Sequence, residues 1–563
     1  MFDDKTSKKI SDAEKKWQNN FIAMYEKKQG FRLPEYATES KIPTKLVYSA
    51  RDVEHIDPDE IGMPGAYPYT RGIYPLSYQY TPWMNQMLHG FGLPEHTRDR
   101  INKLRREGMP PVLLLEIDIA SSYAFDPDDP KASGMIGVAG VSLSNAQDME
   151  ILFQGFDLRK TRVAISTKMT CLPMLATYLV YGEGLGYKPH ELNGQSQNRP
   201  KWSWIGENVR CVPPKYQTRL QIELIKYCTN YMPNWNHTNL CAYIPGENFA
   251  SPIQEMGLVL AEAIELIELG IKAGLNPENF VPRFSSQLHM GMDFFEEIAK
   301  LRAYRKMWAK IAKDRFGCKS DRAHQFRIHV HTGGMSLTGQ QPLNNITRST
   351  LQVLASILGG TQSIHTCSYD EAISLPSEEA VTTALRVNQI LLHESKIPNV
   401  TDPLGGSYYL EWLTDKLEEE AWNLIDQVES RGGFTKCLES NWIWEIFDRR
   451  MNEWRQEIDR GERIIVGVNK YAQEEKMEVP VFTLDQEEIE KVAANKARKW
   501  KAERNHHLVS ESLKRVEEEA RENPTAEQAG TLMPALINAA RAKCTIGEMA
   551  NALFSAYGCV YPY

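Results

Sequence analysis

Eight short β-like runs separated by helical patterns constrain this chain more than any other feature. They fall near Leu76–Tyr80, Leu113–Ile119, Arg162–Ser166, Gly194–Asn198, Asn239–Ile244, Arg283–Leu288, Phe326–His331 and Gln362–Thr366. Between them lie apolar residues at helical spacing, most plainly over Ile253–Gly274, which closes on a glycine stop. Strands alternating with helices over roughly 300 residues predict a parallel (β/α)8 TIM barrel, an α/β fold. Several runs end in polar residues, as in Glu116-Ile117-Asp118, Gln195-Ser196-Gln197-Asn198 and His329-Val330-His331-Thr332. In a barrel those ends face the mouth where chemistry is done. The last run lies in Gly359–Pro376, GGTQSIHTCSYDEAISLP. Two glycines there turn the backbone into a strand that ends in Tyr369-Asp370-Glu371. On these residues alone the stretch reads equally well as a buried strand with a solvated loop.

The rest of the chain reads as additions to the barrel. Residues 1–65 form an N-terminal helical arm, 66–410 the barrel and 411–563 a helical C-terminal extension. In the arm Trp17, Phe21 and Tyr25 recur every fourth residue, an apolar stripe that needs cover. The charged stretch Gln486–Asn523 reads as a solvated helical pair. Leu532–Ala540 and Thr545–Tyr557 are apolar enough to pack. A net charge of -8 lacks the basic footprint of a nucleic-acid binder. No apolar run is long enough to span a membrane, and the Lys-rich N-terminus is not a signal peptide. Nine scattered cysteines without a CxxC pair suit a reducing cytoplasm and predict neither a disulfide framework nor a metal site.

GGTQSIHTCSYDEAISLP closely resembles a segment of the large chains of coenzyme-B12-dependent acyl-CoA mutases. That family includes the methylmalonyl-CoA, isobutyryl-CoA and 2-hydroxyisobutyryl-CoA mutases. The resemblance runs from about Ile42 to about Pro480 through YPYTRGIYP (67–75), MDFFEEIAKLRAYRKMWAKI (292–311), TDPLGGSYYLE (401–411) and IIVGVNKY (464–471). It implies a radical 1,2-rearrangement driven by adenosylcobalamin. The DxHxxG word of the family's cobalamin-binding domain is absent from the sequence. The resemblance therefore implies that a separate small subunit with DxHxxG holds the cobalt. It further implies a heterotetramer of two large and two small chains, a GTPase chaperone and a role for the arm on a partner chain.

Residue by residue, the resemblance sets Glu371 at the adenosyl ribose. Ala139, Glu247, Gly334, Ala372, Leu375 and Pro376 take corrin- or adenosyl-facing positions, and Met335 stands where the family has a tryptophan over the corrin. Gln197 lies near the substrate carbonyl; Tyr243 and His331, the latter standing where the family has a glutamine, complete the catalytic set. Arg283 and Ser285 contact coenzyme A. The departures gather at the substrate. Ile244 replaces a histidine that hydrogen-bonds the thioester carbonyl, and an aliphatic group cannot donate to an oxygen gaining charge. His331 could take over as the donor. Glu207 replaces the arginine that holds the carboxylate of methylmalonyl-CoA, and Leu88 takes the specificity position. Glu116 stands where 2-hydroxyisobutyryl-CoA mutases have aspartate. Gln86 and Thr81 replace arginines near coenzyme A, leaving Arg71, Arg283 and nearby lysines as candidate cations. Glu116 and Glu207 could accept from a substrate hydroxyl, pair with a substrate ammonium, or form ion pairs within the barrel. Methylmalonyl-CoA is thus nearly excluded, and a branched or hydroxylated acyl-CoA is favoured. A non-CoA amine-bearing substrate and a catalytically silent scaffold are the alternatives.

Overall fold

The computed structural model describes residues 4–24, 35–207, 209–474 and 479–558. Its centre is a ring of eight parallel strands. They are β1 (two runs, Met84–Asn85 and Leu88–His89), β2 (Val112–Glu116), β3 (Arg162–Thr167) and β4 (Gly194–Asn198). They continue with β5 (two runs, Trp235–Asn236 and Thr238–Cys241), β6 (Phe284–Met290), β7 (Arg327–Thr332) and β8 (Ser363–His365). Each strand pairs with the next, and β8 pairs with β1 through Ser363↔Met84 and Ile364↔Asn85, which closes the barrel. In both broken strands each run has one partner only. Met84–Asn85 pairs with β8 and Leu88–His89 with β2, while Trp235–Asn236 pairs with β4 and Thr238–Cys241 with β6.

Seven of the eight expected strands stand where the sequence puts them, within a few residues. The first does not. Ser77–Gln79 is a 3-10 turn with Ser77 at φ 43°, and the strand begins at Met84. Prolines 75 and 82 bracket that turn, and neither can donate to a ladder. The run expected to reach Ile244 stops at Cys241, and Tyr243–Glu247 already forms a helical turn. Helices follow the strands as the pattern requires. Pro252–Lys272 starts on a Ser251–Gln254 capping box, which satisfies two orphan amides.

The two faces of the barrel differ in chemistry. Val163, Ile165, Leu240, Leu288, Ile328, Val330 and Ile364 face the helices and join the apolar clusters. The alternate positions read Arg162, Ala164, Ser166 on β3 and Gln195, Gln197 on β4. They continue with Ser285, Gln287, His289 on β6 and Arg327, His329, His331 on β7. The lumen is therefore a polar tube, where an ordinary barrel is packed with branched apolar side chains.

The C-terminal region is part of the same body. Helix Tyr408–Ser430 lies across Pro252–Lys272 and Phe294–Lys310 and buries Leu410, Leu413, Leu417, Ile425 and Val428. The charged stretch forms the helices Gln486–Ala502 and His506–Glu522, and it is not solvated throughout. Ile489, Ala493, Ala497, Val509 and Val516 make a buried stripe between the charges. In the arm, helix Asp4–Trp17 packs back on its own chain. Ser7 Oγ donates to Glu54 at 2.5 Å and Arg51 pairs with Glu14 at 3.2 Å. Tyr25 lies outside the described residues.

Candidate active site

At the C-terminal mouth, β2, β3, β4 and the helix Pro200–Gly206 bring four charges together. Arg199 Nη2 lies 3.2 Å from Glu207 Oε1 and 3.4 Å from both oxygens of Glu116. Lys168 Nζ stands 3.5 Å from Glu116 and 3.7 Å from Glu207. Burial alone would push the Glu207 carboxyl up, but Arg199 and Lys168 outweigh it and hold the carboxyl below its ordinary value. Burial likewise opposes the charge of Arg199, yet Glu207 and Glu116 keep it firmly protonated. The pairing is loose. Arg199 Nε and Glu207 Oε2 are buried with no hydrogen-bond partner among the described residues.

Beside this quartet the rings of Tyr243, His331 and His365 lie in series, tilted by 40° and 38°, with centroids 4.0 Å apart at each step. His331 Nδ1 donates to the Thr332 carbonyl at 2.9 Å, which leaves its Nε2 bare. Burial holds this imidazole neutral, with its pKa pushed down to about 3. His365 Nδ1 accepts from the Leu88 amide at 2.8 Å, so its proton sits on Nε2. Cys367 Sγ donates to the Thr332 carbonyl at 3.2 Å. Ligand-type atoms of His331, His365 and Cys367, and of Glu255, His289 and Glu297, lie within 4.8 Å of one another. Internal bonds serve both groups. In the second, Lys300 Nζ reaches Glu255 at 2.9 Å and Glu297 at 2.6 Å and supplies the cation itself.

The rim of the mouth carries the expected cofactor-facing residues. Glu247 accepts from the Gly334 amide at 2.8 Å and the Met335 amide at 3.0 Å, which fixes that loop from below. Burial pushes its carboxyl up, partly offset by His289 and these amides. A Cβ on Gly334 would lie 3.5 Å from Glu247 and 3.8 Å from Glu371, so the three are neighbours. Glu371 is exposed at the rim, and partial desolvation with the nearby Glu247 and Asp370 carboxylates pushes its carboxyl up. Ala139 and Ala372 are exposed, Leu375 and Pro376 half-buried.

Arg283 and Ser285 belong to the opposite end of the tube. A cavity of about 160 Å³ opens there, lined by Gln86, Arg162, Gln197, Ser285, Arg327 and His329, among others. Arg162, Arg283 and Arg327 have no carboxylate partner among the described residues. Burial and the neighbouring guanidiniums push Arg327 down to about 10. Arg71 is committed elsewhere, to Asp402 at 2.7 Å. The candidate residues thus form two groups, joined by the polar lumen in which Gln197 is the midpoint.

A family model described as methylmalonyl-CoA mutase matches residues 37–559. This chain belongs to the methylmalonyl-CoA mutase family. It is 35% identical to the probable methylmalonyl-CoA mutase, mitochondrial, of Caenorhabditis elegans, over 92% of this chain and 68% of the relative. It is 32% identical to the 2-hydroxyisobutanoyl-CoA mutase large subunit of Aquincola tertiaricarbonis, over 98% and 97% of the two chains. It is 32% identical to the methylmalonyl-CoA mutase of Rhizobium meliloti, over 92% and 72%. These are cobalamin-dependent acyl-CoA mutases, and the chain is accordingly an isomerase.

For a member of the methylmalonyl-CoA mutase family, sequence reasoning missed four side chains of this site: Lys168, Arg199, Arg162 and Arg327. A signal existed for Arg199 and Lys168. Each extends the alternate, inward-facing positions of a strand by one step, from Gln195 and Gln197 on β4 and from Arg162 and Ser166 on β3. Among the described residues no helix is long and apolar enough to cross a membrane.

Proposed function

We propose that this chain is the substrate-binding large subunit of an adenosylcobalamin-dependent carbon-skeleton mutase. Its substrate is a hydroxylated or branched acyl-CoA and not methylmalonyl-CoA. A separate small subunit carrying DxHxxG holds the cobalt; the Aquincola relative is itself a large subunit, which supports a two-chain enzyme.

The quartet of Glu116, Glu207, Arg199 and Lys168 is the observation that carries the substrate reading. Two carboxylates already share two cations, so the buried site is close to neutral. A free acyl carboxylate would add an unbalanced negative charge beside two others. A hydroxyl brings none, and it can donate to the unfilled Glu207 Oε2. An ammonium substrate is disfavoured because Lys168 and Arg199 already fill the cation's place.

The polar tube and its acid-free arginines support a long, anionic handle such as coenzyme A. Arg162, Arg283 and Arg327 would hold phosphates, and Gln197 and Ser285 would line the pantetheine path. The rim fits a flat macrocycle. Small or apolar residues (Ala139, Gly334, Met335, Ala372, Leu375) present little relief, and Glu247 anchors the Gly334–Met335 amides beneath. Adenosylcobalamin, when bound, supplies the radical that removes and returns a substrate hydrogen. The chain's own residues exclude water, orient the acyl group and offer Glu371 to ribose hydroxyls.

Reconstitution with a DxHxxG small subunit and adenosylcobalamin tests this. 3-Hydroxybutyryl-CoA, 2-hydroxyisobutyryl-CoA, isobutyryl-CoA and methylmalonyl-CoA would be compared by kcat/KM. One of the first three should exceed methylmalonyl-CoA by at least about 100-fold, the scale of a lost or repelled charge contact. A preference for methylmalonyl-CoA would overturn the reading.

A further inference from the structure

Arg199 ends the inward face of β4, one step beyond Gln195 and Gln197, both of which line the cavity at the other end of the tube. A chain threaded along the lumen past Gln197 therefore meets Arg199 next. The side chain is 6% exposed, and its Nε has no partner among the described residues. Its remaining contacts are stretched: 3.2 Å to Glu207, 3.4 Å to Glu116 and 3.7 Å to Cys241 Sγ. A buried guanidinium N–H without an acceptor is a vacancy for an oxygen.

The neighbouring ring donors are weaker or committed. The His331 proton is given to Thr332, and His365 is a neutral ring. Ile244 is apolar and packs against Gly206, where a Cβ would come within 2.2 Å of its Cγ2. The charge of Arg199 reaches Cys241, Tyr243 and His331, so it commands the mouth side of the lumen.

We infer that Arg199, through Nε, donates a charged hydrogen bond to the carbonyl oxygen of the substrate's thioester. The inference rests on the acyl-CoA reading above. A carbonyl is a neutral acceptor, so it fills the vacant N–H without adding net charge to the quartet. Glu116 and Glu207 then act as positioning residues that hold the guanidinium in place.

The test needs neither cobalamin nor turnover. Butyryl-CoA and its thioether S-butyl-CoA, which lacks the carbonyl, are titrated calorimetrically into the full chain. Wild type should bind the thioester about 10- to 100-fold more tightly, the range of a hydrogen bond to a charged donor. Arg199→Gln should reduce that preference to within about threefold while S-butyl-CoA affinity changes little. Arg199→Lys keeps the charge between the two glutamates but lacks Nε. It should fold like wild type and lose most of the preference. Retention of the thioester preference in either folded variant overturns the inference, and so does equal weakening of both ligands. If wild type binds neither ligand, the acyl-CoA reading itself falls and takes this inference with it. If wild type binds both equally, only the Arg199 assignment falls.

Discussion

Replacing Arg327 with glutamine should move stability and ligand affinity in opposite directions. Arg327 lies at the N-terminal end of the tube, half-buried, with Arg162, Arg283 and Arg322 as its charged neighbours. A guanidinium held at about 10 instead of 12.5 bears a penalty of at most about 3 kcal/mol in the empty protein. Against this stands its 2.7 Å hydrogen bond to the Pro282 carbonyl, worth about 1 kcal/mol. The net expectation for Arg327→Gln is a gain of about 1–2 kcal/mol, read as a higher urea midpoint at unchanged m-value. Coenzyme A affinity should fall about 10- to 100-fold, because one phosphate loses a charged partner. The salt dependence of binding should weaken with it. Denaturation and calorimetric titration on the same preparation check both halves. A variant less stable than wild type, or one that binds coenzyme A equally well, would refute the view that this arginine waits for an anion.

Two other positions give independent checks. Burial and Asp293 push the Glu296 carboxyl up to about 8, while it accepts from Thr38 Oγ1 at 2.8 Å. The folded chain keeps a proton there that the unfolded chain releases, so stability should fall as pH rises from about 5 to 8, by at most about 3 to 4 kcal/mol. Glu296→Gln should flatten that slope in urea melts at the two pH values, and an unchanged slope would count against it. Gly140 packs on the end of β2, where an added Cβ would lie 2.1 Å from the Ile117 carbonyl carbon and 2.4 Å from the Asp118 nitrogen. Gly140→Ala must push the crossing loop off the strand that carries Glu116, at about 3 kcal/mol. A melting temperature within about a degree of wild type would show that the loop yields freely.

How much of this was legible in the sequence depends on how local the cause is. The strand β4 and its polar inward residues, and the capped helix Pro252–Lys272, follow from spacing alone, because their signals lie within a few residues. Strand β1 was misplaced because its two runs are only two residues each, too short for a period-2 pattern to register. The pairing of Arg199 with Glu116 joins residues 83 apart, and the Arg162–Arg327 cluster spans β3 and β7. Neither can be read before the ring is closed. The charged stretch 486–522 misled for another reason. In Gln486–Ala502 the buried face is largely alanine, which composition does not separate from a solvated helix.

The split strands β1 and β5 lie on opposite sides of the ring, and each run is laddered to a single neighbour. Across residues 86–87 and 237 the two halves are therefore stitched by covalent backbone, without a continuous ladder on either side. The bore is set at two joints instead of around the whole circumference. A ligand as long as the tube can be admitted by spreading those joints, with the six unbroken strands left intact in their own halves.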